Sequence, residues 1–462
     1  MIFHFLYLYF QCILLMTFNF QSASSFLLDD ACQTPVPCTC DSTNIWCTGY
    51  GLTTIPKFTA NDELGSTLRI HLNFNDIQQI PAKAFFSLHP ANVTNFEIDL
   101  AENELNSIDD DAFNGIETAI KLLVLDGNNL TSIPDALQEL TNLETLSIRH
   151  NHIMSFSSPT VLQLSRTITS LAISMDLFSE WPRELHYFRV LAKLYVDGFP
   201  EPRLPLDALS GQELTMLVLE ISRSELDRIP SAVCHLKHLK HFSYISNYKT
   251  IAPVFEPCNH NLTSITYLSL QDNNLQQFPK VLDSFVALGY LDVSHNSIRT
   301  IHSDLVPMYQ PLTHVDLSWN NLRRIPSALT HLQNVKLMDL SHNQITSLED
   351  YDLFKLSDLR ALSVSDNPIE YVSIEAFQSQ NMIGSLNFSR TYLEEIPPAV
   401  LTLSQVRVLD LTGAPIDCTC GMSSMTNSSI ATVSIVGTCA GTGENITYFR
   451  ETFLLLCPSW ES

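Results

Sequence analysis

"YLDVSHNSIRTI" occupies Tyr290–Ile301, "HVDLSWNNLRRI" His314–Ile325 and "LMDLSHNQITSL" Leu337–Leu348. Self-similarity at a fixed spacing of roughly 20–50 residues marks stacked supersecondary units, so these phrases decide the fold class. Extended in both directions, the frame L-x-x-L-x-L-x-x-N-x-L places its Asn at Asn75, Asn103, Asn128, Asn151, Asn247, Asn273, Asn296, Asn320, Asn343 and Asn367. Between Asn151 and Asn247 the apolar frame continues with Asp176, Phe199 and Ser222 in the Asn place, and two further turns carry Thr391 and Ala414 there. The count is about 15 repeats averaging about 24 residues.

Each part of the frame has a physical task. The alternating L-x-L, as at Leu268 and Leu270, reads as a short strand whose leucines face inward while the residues between them face out. The Asn sits where the chain leaves the strand, and its amide both donates and accepts, so stacked Asn side chains satisfy backbone groups along the array. An Ile-Pro pair recurs after the turn, at Ile80-Pro81, Ile133-Pro134, Ile229-Pro230, Ile325-Pro326 and Ile396-Pro397. Proline ends the preceding segment and fixes φ for a short helical return on the convex side. A single coil cannot bury its own leucines; stacking makes the core continuous.

In this frame the chain resembles the leucine-rich-repeat family over roughly Cys32 to Cys457. The resemblance implies an α/β right-handed solenoid, a horseshoe with a parallel concave sheet and disulfide-capped ends. "CQTPVPCTCDSTNIWCTGYGLTTIP" is similar to the family's N-terminal cysteine cap, and "APIDCTC" with the later Cys439 and Cys457 is similar to its C-terminal cap. Ala414-Pro415 stands where the family's C-terminal cap opens on Asn-Pro. The expected organisation is a signal peptide over 1–24, an N-terminal cap over 25–60, the repeat array over 61–416 and a C-terminal cap over 417–462. Family pairing implies Cys32–Cys40, Cys38–Cys47, Cys418–Cys439 and Cys420–Cys457, whereas the residues alone leave three connectivities open for each four-Cys cluster. Cys234 and Cys258 lie one period apart on adjacent coils, which reads as a staple across the convex side.

Composition narrows the partners. Asp and Glu number 49 against 25 Lys and Arg, for a formal net charge of −24. So acidic a surface speaks against nucleic acid and anionic membranes. The opening "MIFHFLYLYFQCILLMTFNFQSASS" is apolar, carries no Asp, Glu, Lys or Arg and ends in small residues, as a cleaved secretory signal does. No later stretch reads as a membrane span, so the mature chain is expected to be secreted into the extracellular space. Of eleven cysteines, Cys12 lies in this leader and the other ten fall in even clusters, which fits an oxidising compartment. Six N-x-S/T sequons, at Asn92, Asn129, Asn261, Asn387, Asn427 and Asn445, are glycosylation candidates; a glycan on Asn387 would cover an open strand position.

The strands' outward positions are the binding candidates. Asp292 with Ser294, Asp316 with Ser318, and Asp339 with Ser341 occupy them in the three opening phrases, with His295, Trp319 and His342 just after. Stacked one per strand, the carboxylates form an acidic column edged by Tyr267, Tyr290 and Trp319, a strip suited to cationic groups on a protein. The same residues lie close to the family consensus, so descent alone also accounts for them. Where the Asn column breaks, the outward positions read as Tyr195, Met216, Val218 and Ile245 beside Lys193 and Glu220, an apolar patch that a partner would cover.

No motif for a nucleophile elbow, zinc protease, P-loop or dinucleotide site occurs, and His235, His238 and His241 fall on different segments. Neither a catalytic residue, a metal site nor a cofactor is expected. The reading is a secreted, non-enzymatic module that recognises an extracellular protein ligand with a basic surface through its concave face, as a soluble binder, scaffold or decoy in innate immunity or signalling. Two alternatives stand beside it: a non-catalytic subunit of a secreted enzyme, similar to the repeat subunit of a crustacean luciferase, and a structural protein of the extracellular matrix.

Overall fold

The computed structural model describes residues 37–59, 64–89, 93–156, 158–249, 262–280, 282–308, 310–378, 380–422, 433–454 and 457. The apolar leader, Cys32, Cys258 and the sequons Asn92, Asn261 and Asn427 lie outside them.

One residue per coil anchors the sheet. Leu268, Leu291, Val315, Met338, Leu362, Leu386 and Leu409 stand in parallel register on successive strands, all buried. The same line runs back through Phe242, Leu219, Leu194, Leu171, Leu146, Leu123 and Ile98 to Ile70. An 18-stranded sheet results among the described residues. Fifteen of its strands, from Thr67–His71 to Val408–Asp410, form the repeat run. Only its first pairing, Thr39–Cys40 with Asn44–Trp46, is antiparallel.

The Asn side chains join the coils. Asn343 Nδ2 lies 3.0 Å from the carbonyls of Leu317 and Leu340 and 3.1 Å from that of Ser341, and its Oδ1 accepts the Leu322 N–H at 3.0 Å. One amide thus satisfies groups on two coils at once. The five residues beyond the anchor locate this column, and between Asn151 and Asn247 they give Asp176, Phe199 and Ser224. Ser224, not the expected Ser222, is therefore the third substitute; Ser222 lies in the strand Val218–Ser222, paired with Asp197 and Ile245.

Strand length divides the array. From Thr67–His71 to His241–Ile245 the strands run five residues, with a four-residue exception at Thr145–Ile148; from Tyr267–Ser269 to Val408–Asp410 they run three. A side chain closes five of the seven short strands. Asp292, Asp316, Asp339, Asn387 and Asp410 each accept, through Oδ1, the N–H of the residue two positions on, at 2.8–2.9 Å. Asp99 makes the same turn at the end of the five-residue strand Asn95–Asp99, so the Asx turn marks where a strand ends, not how long it runs. It also tucks Ser294, Ser318 and Ser341 inside, where the sequence had placed them outward.

One residue beyond those serines, the chain is left-handed. His295, Trp319, His342, Asp366 and Arg390 have φ of 52–54° in five consecutive coils. On the convex side Pro134, Pro182, Pro230, Pro326 and Pro397 each open a 3-10 turn of five residues with φ between −59° and −71°, the fixed proline value that starts a helical turn. Two α-helices occur among the described residues, Ser158–Leu164 and Ile446–Thr452.

Disulfides join Cys38 to Cys47, Cys418 to Cys439 and Cys420 to Cys457. Cys40 and Cys234 are also disulfide-bonded. The last helix covers the final strand: Asn445 caps it by accepting the Thr447 and Tyr448 N–H groups, and buried Arg450 donates to the Val433 carbonyl at 2.9 Å.

Candidate functional site

The phrases that open the sequence bring their polar residues together on the strands Tyr290–Asp292, His314–Asp316 and Leu337–Asp339. Asp292, Asp316 and Asp339 are direct register partners, one carboxylate per strand. Each spends one oxygen on its Asx turn, and Asp292, only 8% exposed, also accepts the Ser269 hydroxyl at 3.1 Å. Asp316 is the middle member. Burial, then repulsion from Asp292 and Asp339, pushes its carboxyl up to about 6 against the help of Ser318.

Two rows of rings flank this column. On one side Tyr267 and Tyr290 stack at 4.7 Å between centroids, and Tyr290 and His314 at 5.7 Å. Burial, followed by Asp292, Tyr267, Asp316 and Asp339, pushes the Tyr290 phenol up to about 12. On the other side Trp319 lies between two imidazoles, His295 at 5.1 Å and His342 at 3.8 Å, all within 13° of parallel. The left-handed backbone of this row presents three rings side by side. Trp319 is 47% exposed, but imidazoles cover both its faces, so the indole offers its edge to solvent. Attraction for a cation therefore rests on the carboxylates, and the rings form rails beside them. Burial lowers the His295 imidazole despite the nearby Asp272 and Asp292. The row ends on Asp366, which meets His342 at 3.2 Å and Arg390 beyond it.

The central coils look different. Tyr195, Val218 and Ile245 are partly exposed on the sheet, but in three separate rows. Tyr195 pairs across to Ala172 and Glu220, Val218 to Lys193 and His241, and Ile245 to Ser222. They form no continuous apolar patch. Met216 is fully buried at 0% exposure, not outward: its N–H still bonds back to the Gln212 carbonyl at 3.0 Å, so the chain has not yet entered the strand there.

An ion pair that sequence reasoning missed, with the acid buried and the base at the surface, lies in the same coils. Asp197, 3% exposed, accepts from Arg223 through both oxygens and from the Ser222 hydroxyl at 2.9 Å, with His150 beside it. Burial opposes the ionised Asp197, yet Arg223 and Ser222 outweigh it and hold the carboxyl below the usual range. Neighbouring Gly198 has φ +76°, in the region glycine favours, and a Cβ there would make the Asp176 carboxylate turn away. An acid and a base one period apart, at Asp197 and Arg223, were the available signal.

Among the described residues no group of three or more His, Cys, Asp or Glu is placed to hold a metal, and no helix is long and apolar enough to cross a membrane. Of the sequons, Asn387 is partly exposed in the carboxylate column between Ser363 and Asp410, Asn129 is exposed, and Asn445 is exposed at the last helix.

Comparison with known proteins agrees with this architecture. Residues 97–153 and 310–369 match the leucine-rich-repeat family model. Chicken (Gallus gallus) keratocan is 27% identical over 246 residues, covering 50% of this chain and 65% of keratocan. Leucine-rich repeat-containing protein 3B of Bos taurus is 31% identical over 27% of this chain and 42% of its own length. The human volume-regulated anion channel subunit LRRC8B is 24% identical over 43% of this chain, and the match spans 24% of that subunit. The solved structure of a Leptospira interrogans leucine-rich-repeat protein superposes with a TM-score of 0.59 over 84% of this chain and 94% of its own, at 20% identity. With parallel strands, stacked Asn amides and proline-led returns already in place, these matches identify the architecture: the chain carries the leucine-rich-repeat fold.

Proposed function

We propose that this chain is an extracellular protein-binding module, without catalysis of its own, that engages a basic protein segment on the strip from Tyr267 to His342. The carrying observation is the carboxylate column Asp292–Asp316–Asp339, held open between two rows of stacked rings. Stacking has already fixed these rings, so little side-chain entropy remains to be lost on binding. Asp316 and Asp339 each have one oxygen bound into the turn, which orients the other, while Asp292 spends both oxygens within the sheet. Disulfides at Cys38–Cys47, Cys418–Cys439 and Cys420–Cys457 support the oxidising, extracellular setting. A glycan on Asn387 would close the C-terminal side of the strip, and peptide mapping of secreted material reads its occupancy.

The test is affinity capture from extracellular fluid on the immobilised full chain, with mass spectrometry of what is retained. Proteins held by the wild type and lost from Trp319→Ala and Asp339→Ala support the strip. Retention unaffected by both substitutions, but lost from Tyr195→Ala, would move the contact surface to the central coils.

A further inference from the structure

The strip that would hold a basic segment is also crowded with groups that titrate together. Asp316 is faced on its own strand by His314, on the preceding strand by Tyr290 and Asp292, and on the following strand by Asp339, with His295 and His342 in the adjoining ring row. Asp272 and the Asp366–Arg390 pair bound that row at its two ends. Three like charges at strand spacing are hard to sustain in a half-buried setting, and they are relieved by one proton on the middle member.

We infer, resting on the binding reading above, that the strip is an acid-operated release surface: a lysine- or arginine-bearing segment held at neutral pH is let go when the surroundings acidify. Two proton uptakes act in the same direction. Asp316 loses its charge, breaking the column at its centre, and the flanking imidazoles gain charge beside it. At neutral pH the partner meets the two outward carboxylates of the column, Asp316 and Asp339, with Asp292 buried behind them on its turn and on Ser269. The elevated Asp316 carboxyl, near 6, places the first change in the mildly acidic range. Burial holds the His295 imidazole back. His342 lies against the face of Trp319 at 3.8 Å and beside Asp366 at 3.2 Å, so positive charge on that ring is held from two sides.

The test uses the full chain and a fluorescein-labelled hexa-arginine peptide, titrated by anisotropy at about pH 7.5 and about pH 5.0 at constant ionic strength. The expected result is at least about tenfold weaker binding at the lower pH. Asp316→Asn keeps the turn, as Asn387 does in the same column, and should bind at neutral pH nearly as weakly as the acidified wild type, with most of the pH dependence gone. His314→Gln with His342→Gln should shift the release midpoint to lower pH. Asp410→Asn, in the same column but four strands from Asp316, should leave the pH dependence intact, which separates the device from the overall acidity of the chain. No binding at either pH overturns the binding reading and this inference with it. Equal binding at both pH values, or a pH dependence that survives Asp316→Asn, overturns the release device alone.

Discussion

The coils around Asn320 and the coils around Phe199 bury similar leucines but hold their turns by different chemistry. In the first set an Asn amide bonds carbonyls on two coils, an Asp closes an Asx turn, and the strand ends after three residues. In the second the Asn place falls to an exposed Asp176, a buried Phe199 packed edge-on against Trp181 at 5.5 Å, and Ser224; the strands run five residues, and an Asp197–Arg223 pair with its acid buried occupies the outward row. Where the turn is standardised, the outward side chains stand in aligned rows of one kind. Where it is improvised, neighbouring strands carry unlike residues. The proposed strip relies on such aligned rows, so on that reading the local turn chemistry decides which part of the sheet would face a partner.

The largest expected effect breaks the standardised side. Asn343→Ala strands three carbonyls and the Leu322 N–H, and should cost about 2–4 kcal/mol. Urea unfolding measures the loss, and faster exchange of the Leu322 amide locates it. Next comes the improvised side. Arg223→Ala leaves the Asp197 carboxylate buried without its main partner and should cost about 2 kcal/mol at neutral pH, discounted because the guanidinium is partly solvated. Since the folded Asp197 carboxyl lies below its ordinary value, the pair's contribution is present above about pH 4 and is lost as pH falls through the folded value, so the deficit shrinks in acid. The smallest effect has the opposite sign. Asp316 titrates near 6 when folded against about 3.9 when unfolded, so its ionisation weakens the fold as pH rises between those values. Asp316→Asn should therefore stabilise the chain by about 1 kcal/mol above neutrality and by nothing measurable below about pH 4. A destabilised Asp316→Asn would show that the column is not under electrostatic strain.

Much of this was legible in the sequence because the period is enforced by backbone needs. The Asn residues recur because each satisfies the coil before it, and the Ile-Pro pairs because proline opens the return turn. Errors arose where the frame was counted without a backbone to fix it. Ser222 took the Asn place from Ser224 because the coil after Asp197 is longer before its strand begins, and Met216 was read as outward by continuing the strand alternation into a turn. Ser294, Ser318 and Ser341 were placed outward because alternation cannot reveal that an Asp two residues earlier has already bent the chain. The His295–Trp319–His342 residues stood out in the repeated phrases, but their face-to-face contact depends on a left-handed φ that no residue type there announces.

The proline-led returns have a consequence for how sharply the array bends. Packed α-helices keep their axes about 8–10 Å apart, roughly twice the separation of neighbouring strands, and a backing of helices splays coils into a tight arc. Here slim 3-10 turns such as Ser327–His331 form much of the outer wall. Front and rear spacings then differ less than helices would make them, and a sheet backed in this way is expected to bend more gently from coil to coil.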